Sequence, residues 1–266
     1  MSPYKIEAGT GQHLGDRSEQ QDRIGLFTAP RAPGYMMAVL ADGMGGSSGG
    51  SIAAEQAIRT AQQVFENFSP RIEEIETMLQ EIVAEIHTVI QLMTLATEMR
   101  PHTTLAILVI TADGKAVWGH VGDSRVYRFS GPNLAERTLD HSYAEQMIDR
   151  ASAAQGGPGP TQTILANVIG NPLAAPVLTL GGYANLQAGD AFMLCSDGVW
   201  HYCNDEEFGA AIAMNSPRDA AQMLIAKARK RATGGDADNC TLGVIKLITP
   251  PKPVSNFQVD TMRRAI

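Results

Sequence analysis

The chain has 266 residues, of which 44% are hydrophobic and 18% are charged, as expected of a globular protein with a sizeable core. Its formal net charge of -7 at pH 7 argues against a nucleic-acid-binding protein, which would carry a basic stripe. Three cysteines without CxxC spacing indicate neither a disulfide framework nor a zinc site, and the lack of an apolar leader or of a membrane-length apolar run predicts a cytoplasmic protein.

The sequence before Pro101 predicts two strands followed by two helices. The strands cover 23–28 and 35–41 and are joined by a turn that contains proline and glycine. The first helix covers 51–68, with apolar residues roughly on one face (Ile52, Ile58 and Val64 or Phe65). The second helix begins with Ser69 as N-cap and Pro70 in its first turn, and its apolar stripe predicts packing against a sheet (Ile72, Ile75, Leu79, Ile82, Ile86, Val89 and Met93).

The sequence after Pro101 predicts mainly strands. Three of them follow in close succession, and their tight connections predict an antiparallel meander (103–111, 116–121 and 125–130). The segment 140–176 is long and irregular, which in a compact domain is typical of a functional loop. Two strands, two helices and a final strand follow (178–183, 190–195, 205–214, 217–233 and 241–248).

These elements predict an α+β fold with four layers, α-β-β-α, in which two central antiparallel sheets carry helices on both outer faces. No repeat and no linker divides the chain before its last residues. We therefore expect one domain over 1–248 and a C-terminal tail over 249–266 with little core content.

The segment 38–46 (AVLADGMGG) joins an apolar strand to a group of glycines, with Asp42 between them. Glycine lets the main chain approach closely, so the Gly43 carbonyl could join the Asp42 carboxylate as a ligand for a hard cation. Aspartate and glycine also form a common turn pair, so this segment alone leaves a purely structural interpretation open.

The same arrangement recurs at other strand ends. Asp123 and Asp197 each follow an apolar strand, Asp238 precedes the last strand, and Asp22 opens the first. Each alone is a common turn or capping residue, but together at one edge of a sandwich they would repel one another unless cations lay between them. An all-oxygen ligand set favours Mg²⁺ or Mn²⁺ over zinc or copper, and two such ions could activate a water for phosphoryl hydrolysis.

Seven short motifs follow one another over roughly residues 10–248. They are Arg17…Gln21-Asp22, Asp42-Gly43-Met44-Gly45-Gly46, Thr103-Thr104, Val121-Gly122-Asp123-Ser124-Arg125, Asp140-His141-Ser142, Ser196-Asp197-Gly198 and Asp238-Asn239-x-Thr241. In this order and spacing they resemble the metal-dependent protein phosphatase family, type 2C, in its bacterial single-domain form. The resemblance implies hydrolysis of phosphoserine and phosphothreonine on proteins, with two Mn²⁺ or Mg²⁺ ions as cofactor. It also implies that the partners are phosphorylated proteins, among them a Ser/Thr kinase or its targets.

The resemblance further implies which residues would hold the catalytic ions. Asp42 would bridge them, with the Gly43 carbonyl on the second ion. Asp197 and Asp238 would hold the first ion, to which Asp22 would contribute through a water. Two further residues have implied roles outside this set. Asp123, together with Asp197, corresponds to a weaker third ion site, and Arg17 matches the arginine that binds the substrate phosphate with its planar guanidinium.

Three positions depart from the pattern of the family, of which Gln20, where asparagine is usual, is minor. Gln21 stands where many members have glutamate, and the loss of one negative charge predicts weaker binding of the second ion. Met44 stands where animal members carry a histidine proposed as general acid, and methionine cannot donate a proton. His141 is a candidate for this catalytic role because an unperturbed histidine titrates near neutral pH, although a loop histidine is more often structural.

Two other functions stay open at this stage. One is a catalytically silent module that keeps the fold and binds a phosphoprotein, for which Gln21 is the only supporting feature. The other is a metal-dependent hydrolase of small phosphoesters, which would use the same ligands. Comparing turnover of phosphopeptides with turnover of small aryl phosphates would distinguish the second from a protein phosphatase.

Overall fold

The computed structural model of the chain describes residues 4–45, 49–97, 99–142, 165–235 and 237–250. The strands are β1 (Lys5–His13), β2 (Asp22–Ala29), β3 (Ala32–Met44), β4 (His102–Thr103), β5 (Leu105–Ile110), β6 (Lys115–Val121), β7 (Arg125–Ser130), β8 (Asn133–Arg137), β9 (Thr179–Ala184), β10 (Asp190–Cys195) and β11 (Cys240–Ile248). The helices are α1 (Gly49–Asn67), α2 (Ile75–Ala96), α3 (Asp197–Trp200), α4 (Asp205–Met214) and α5 (Pro217–Arg231).

The strands form two antiparallel sheets that pack face to face. One sheet has the order β1-β11-β10-β7-β8, and the other has the order β2-β3-β5-β6-β9 with β4 paired to β3. Helices α1 and α2 cover the outer face of the second sheet, and α4 and α5 cover the outer face of the first. A further apolar cluster between the sheets includes Leu40, Leu108, Phe192 and Ile245. The predicted α+β fold with four layers, α-β-β-α, is therefore confirmed.

Helix α1 buries only part of the predicted face. Phe65 is fully buried, and Ile58 and Val64 are partly buried against the core, whereas Ile52 is 37% exposed. Most of the other buried positions carry small side chains, among them Ala53, Ala57 and Ala61. Small side chains let the helix lie close to the sheet, and close packing of the backbone outweighs the larger residues that a hydrophobic pattern favours.

Helix α2 begins later than predicted. Its N-cap is Glu74 and not Ser69, whose carbonyl instead accepts a hydrogen bond from the Ile72 amide at 3.0 Å in a separate turn. Ile72 is consequently exposed. The apolar stripe from residue 75 onward is confirmed, with its central members fully buried (Leu79, Ile82 and Ile86).

The predicted meander is wrong in one respect that matters for the site. Strands β5 and β6 pair as expected, but β7 belongs to the other sheet, where it pairs with β10 and β8. The chain crosses between the sheets at 122–124, where Gly122 has a φ of 97° that favours glycine. Strand β3 also continues past the expected break to Met44, because Gly43 pairs with Thr103 of β4.

Several elements are confirmed and others were not predicted. Strand β10 and helix α4 have their predicted bounds, whereas β1, β8 and α3 were not predicted. No helix in the described ranges is long and apolar enough to cross a membrane. The middle of the predicted irregular segment, 143–164, and most of the predicted tail, 251–266, lie outside the described residues, so the domain boundary at 248 stays a prediction.

Candidate active site

Asp22 and Asp42 form a pair at one edge of the second sheet. They lie opposite each other in the register of β2 and β3, and opposite residues in antiparallel strands place their side chains on the same face. The Asp22 carboxylate, which is 1% exposed, accepts a hydrogen bond from Ser196 Oγ at 2.8 Å. Because Ser196 directly follows β10, this bond connects the two sheets at the edge where both carboxylates lie.

Two threonines fix the main chain of Asp42. The Asp42 carbonyl accepts hydrogen bonds from Thr103 Oγ1 at 3.0 Å and from the Thr104 amide at 2.9 Å. The Asp42 amide donates to Thr104 Oγ1 at 3.1 Å, and this hydroxyl also lies 2.7 Å from Ser124 Oγ. Thr104 thus connects the end of β3 to the turn that carries Asp123.

Gly43 lies where only glycine fits. A Cβ on this residue would lie 1.9 Å from the carbonyl oxygen of Gly50, in the first turn of α1. A Cβ on Gly50 would likewise lie 2.5 Å from the Gly43 carbonyl oxygen. The start of α1 therefore packs directly on the main chain after Asp42.

Asp123 lies in the turn where the chain crosses from one sheet to the other, and it is 6% exposed. The Asp123 carbonyl accepts a hydrogen bond from Trp200 Nε1 at 3.0 Å. The preceding Gly122 exchanges two bonds with His141, whose amide donates to its carbonyl at 2.9 Å and whose Nδ1 accepts from its amide at 3.2 Å. The position of Asp123 is thus set by one hydrogen bond to its own main chain and by two to the main chain of the preceding Gly122.

Asp197 and Asp238 lie at the ends of the neighbouring strands β10 and β11. Asp197 is the first residue of α3, immediately beyond β10, and Asp238 precedes β11. A Cβ on Gly198 would lie 2.1 Å from the Asn239 carbonyl oxygen, so glycine is required for the two segments to approach. Five separate segments, two of them strands and the other three next to strands, therefore supply the five predicted carboxylates.

The electrostatics show that these carboxylates lie close together. Burial raises the pKa of Asp42 well above its ordinary value, and all four of the other carboxylates raise it further (Asp22, Asp197, Asp123 and Asp238). Burial likewise raises the pKa of Asp22 to about 7, against hydrogen bonds from Ser196 and Thr241 that lower it. Burial raises the pKa of Asp123 to about 7 as well, with Asp197 adding to the effect. Negative charge on this edge is therefore strongly disfavoured in the absence of a cation.

The donor set fits Mn²⁺ or Mg²⁺. It consists of carboxylate and carbonyl oxygens, which are the ligands these ions prefer, and a bound cation would relieve the mutual repulsion of the carboxylates. Within the described ranges, no three His, Cys, Asp or Glu side chains converge closely enough to ligate one ion alone. Main-chain carbonyls such as that of Gly43, and the waters that Mg²⁺ readily keeps, would complete the coordination.

Arg17 lies at the rim of this carboxylate group. Its Nη2 is 2.7 Å from Asp238 Oδ2, and its side chain is 55% exposed. The loop that carries it is held by Asn239, whose Nδ2 donates to the carbonyls of Leu14 and Glu19 at 2.7 and 3.1 Å and whose Oδ1 accepts from the Gln21 amide at 2.7 Å. The guanidinium is thus both accessible to solvent and adjacent to the predicted ions.

His141 has a different environment from that expected of a general acid. Its Nδ1 accepts from the Gly122 amide and lies 2.7 Å from Asn167 Nδ2, and its Nε2 lies 2.8 Å from Thr179 Oγ1. Burial and the stacked ring of His120, 4.3 Å away, lower the pKa of His141 to about 4. The catalytic role of His141 stays a prediction, while these contacts favour a structural role that joins the Asp123 turn to the segment around Thr179.

Three residues near the carboxylates were not singled out from the sequence. Trp200 ends α3 and His201 is the C-cap of this helix, with His201 Nδ1 3.7 Å from Asp197 Oδ2. Thr104 was recognised as part of a motif but without a role. Their positions depend on contacts between the two sheets, which no local pattern in the sequence encodes.

The chain is similar to known proteins over most of its length. The sequence signature of the family described as Protein phosphatase 2C matches residues 9–224. The serine/threonine phosphatase stp of Listeria monocytogenes serotype 4b is 27% identical over 236 residues, which are 86% of this chain and 91% of that protein.

Solved structures share the fold. The structure of the S. agalactiae serine/threonine phosphatase has a TM-score of 0.79 at 25% identity and covers 91% of this chain and 99% of that one. The catalytic domain of the serine/threonine protein phosphatase PstP, solved in complex with two manganese ions, has a TM-score of 0.74 at 23% identity and covers 91% and 98%. The second likeness bears on the fold alone, whereas the match of the family signature covers most of the chain.

Proposed function

The chain belongs to the protein phosphatase 2C family, and from that premise we propose that it hydrolyses phosphoserine and phosphothreonine side chains of proteins with Mn²⁺ or Mg²⁺ as cofactor. As a member of this family it is a phosphoprotein phosphatase, a metal-dependent hydrolase. The observation that carries the proposal is the meeting of five aspartates at one edge of the two sheets, where four of them raise the pKa of the fifth, Asp42 (Asp22, Asp123, Asp197 and Asp238). A protein gains nothing in stability from such an arrangement unless cations bind there.

The roles that we propose for the site residues are those that the resemblance to the family implies. Bound Mn²⁺ or Mg²⁺ would supply positive charge to the phosphate and acidify a water, which is the chemistry that phosphomonoester hydrolysis needs. Asp42, whose main chain is fixed by Thr103 and Thr104, would be shared between two ions, and Asp197 and Asp238 would contribute to holding one of them together with main-chain carbonyls and waters. The exposed Arg17 guanidinium would hold two phosphate oxygens in its planar fork.

The cysteines do not compete for the role of nucleophile. All three are free, buried thiols, and burial raises the pKa of Cys240 to about 12, so a thiolate is strongly disfavoured. This supports direct attack by water on phosphorus over a covalent enzyme intermediate. Free, buried thiols also support the prediction of a reducing, cytoplasmic location.

The partner we propose is a phosphorylated protein, in particular a Ser/Thr kinase or the targets of such a kinase. The support is the family of the chain together with the exposed Arg17, which suits a phosphate presented on a protein surface better than a small buried substrate. Rates for autophosphorylated kinase, for phosphopeptides and for small aryl phosphates, measured side by side, would rank these substrates.

The first experiment is phosphate release from a phosphothreonine peptide in Mn²⁺ and in EDTA, with the wild type and with Asp197→Asn. We expect turnover in Mn²⁺ that is lost in EDTA and lost in the variant, while circular dichroism shows that the variant is folded. A folded wild type that binds Mn²⁺ but does not release phosphate would contradict the proposal and would favour a phosphoprotein-binding module.

A further inference from the structure

Trp200 links two of the carboxylates of the site. Helix α3 carries Asp197 at its first position and Trp200 at its last, so the two side chains belong to one helical turn. The indole Nε1 of Trp200 donates to the Asp123 carbonyl at 3.0 Å. A single short helix therefore contributes one carboxylate itself and holds the main chain of another.

The indole ring is itself fixed by a buried ion pair. The Arg125 guanidinium lies 3.5 Å above the centre of the Trp200 ring. Its Nε and Nη2 each lie 2.7 Å from a different oxygen of Asp140, and the two side chains are 11% and 5% exposed. A bidentate pair of this kind leaves the guanidinium little freedom, so the ring beneath it has one well-defined position.

We infer that Trp200 is a positioning residue that holds Asp123 at ion-binding distance from Asp197. The inference rests on the proposed function, because the purpose of holding two carboxylates together is to bind a cation between them. The Arg125–Asp140 pair fixes Trp200, and Trp200 in turn positions the turn at 122–124. Without the indole bond the turn would relax away from Asp197, since the buried Asp123 and the partly buried Asp197 repel each other.

The informative variant is Trp200→Phe, which removes the indole N–H but keeps an aromatic ring under Arg125. The matched control is Trp118→Phe, because Trp118 is the only other tryptophan of the chain and is buried between the sheets against Phe192. Mn²⁺ binding is measured by titration calorimetry and by electron paramagnetic resonance of free Mn²⁺. Turnover of a phosphothreonine peptide is then measured as a function of the Mn²⁺ concentration.

For Trp200→Phe we expect unchanged affinity of the tightest Mn²⁺ ions and a dissociation constant of the weakest ion that is about three to ten times higher, as for the loss of one hydrogen bond. The Mn²⁺ concentration for half-maximal turnover should rise by a similar factor. Trp118→Phe should leave both quantities unchanged. In an Asp123→Asn background, Trp200→Phe should have no further effect on turnover, because Trp200 acts through Asp123.

Two outcomes would overturn the inference. One is a Trp200→Phe protein that binds every Mn²⁺ ion as the wild type does. The other is an effect of the same size on all ions, or an undiminished effect in the Asp123→Asn background, because either would indicate general destabilisation. If Trp200→Phe does not fold, Arg125→Lys gives the same test, since lysine keeps the charge but loses the bidentate geometry. A wild type without Mn²⁺-dependent turnover would contradict the proposed function, while the binding measurements would still decide the role of Trp200.

Discussion

Asp123 offers the most direct test of the electrostatics of the site. Burial, with Asp197 and Asp140 nearby, raises the pKa of its carboxyl to about 7, from an ordinary value of 3.8. The unfolded chain loses this proton near the ordinary value, so between about pH 4 and pH 7 the folded state binds more protons than the unfolded state and its stability falls as the pH rises. At about 1.4 kcal/mol per pH unit, the loss amounts to about 4 kcal/mol at pH 8.

Asparagine at this position keeps the shape of the side chain but has no proton to lose. In EDTA we therefore expect Asp123→Asn to be more stable than the wild type at pH 8, by up to about 4 kcal/mol, with a gain that shrinks steadily toward pH 5. Saturating Mn²⁺ should reduce or reverse this gain, because the cation stabilises the carboxylate and not the amide. Urea unfolding of both proteins between pH 5 and pH 8, with and without Mn²⁺, measures all of these quantities.

The matched control is Asp190→Asn at the opposite end of β10. Asp190 is also buried, but its Oδ2 accepts a hydrogen bond from the Gln187 amide at 2.9 Å, so its replacement should destabilise the protein at pH 8. The reasoning would be refuted if Asp123→Asn were less stable than the wild type in EDTA at pH 8. It would also be refuted if the gain were the same at pH 5 and pH 8.

Four further predictions concern single side chains. Asp197→Asn should lower Mn²⁺-dependent turnover at least about 100-fold and weaken Mn²⁺ binding, as measured by calorimetry on the folded variant. Arg17→Lys should raise KM for a phosphothreonine peptide about tenfold with little change in Mn²⁺ affinity, and an unchanged KM would exclude it from phosphate binding. His141→Gln should leave the shape of the plot of kcat against pH unchanged between pH 6 and pH 8, because the imidazole of His141 is neutral throughout that range. If the variant instead lost the fall of kcat at one side of this plot, His141 would again be the candidate general acid. Thr104→Val and Thr111→Val, at the two ends of β5, should each cost about 1–3 kcal/mol in urea unfolding, but only the former should weaken Mn²⁺ binding.

Elements with strong local signals could be predicted from the sequence. Strand β10 is a continuous apolar run, and α4 begins at Asn204, whose side chain accepts from the Glu207 amide at 2.9 Å in a capping box. Strand β1 could not be predicted, because it contains Gly9 and Gly11, lies at the edge of its sheet among the described strands, and pairs with β11, more than 200 residues later. Gly9 is needed there because a Cβ would lie 2.4 Å from the amide nitrogen of Arg218 in α5, which is again a tertiary constraint.

In the candidate site, too, some features could be predicted from the sequence and others could not. The individual aspartates could be found from strand ends and glycines, but their convergence depends on the chain crossing between sheets at 122–124, where local spacing wrongly predicted a continued meander. The hydrogen bonds that position them join residues far apart in sequence, such as Asp22 with Ser196 and Asp123 with Trp200. The chemistry of the site could therefore be predicted from its residue types, whereas the arrangement of its side chains depends on the topology of both sheets.

The origin of the carboxylates in separate segments of the chain has a thermodynamic consequence. Because its carboxylates come from β2, β3, the crossing turn, α3 and the approach to β11, the ion-binding arrangement exists only in the folded chain. The same carboxylates destabilise the metal-free fold at neutral pH, so cation binding removes a repulsion as well as forming ligand bonds. An ion at 100 times its dissociation constant adds about 2.7 kcal/mol of stability to such a fold. Folding stability and catalytic competence are therefore coupled through one set of side chains, and a substitution that relieves the repulsion should stabilise the protein while it impairs the enzyme.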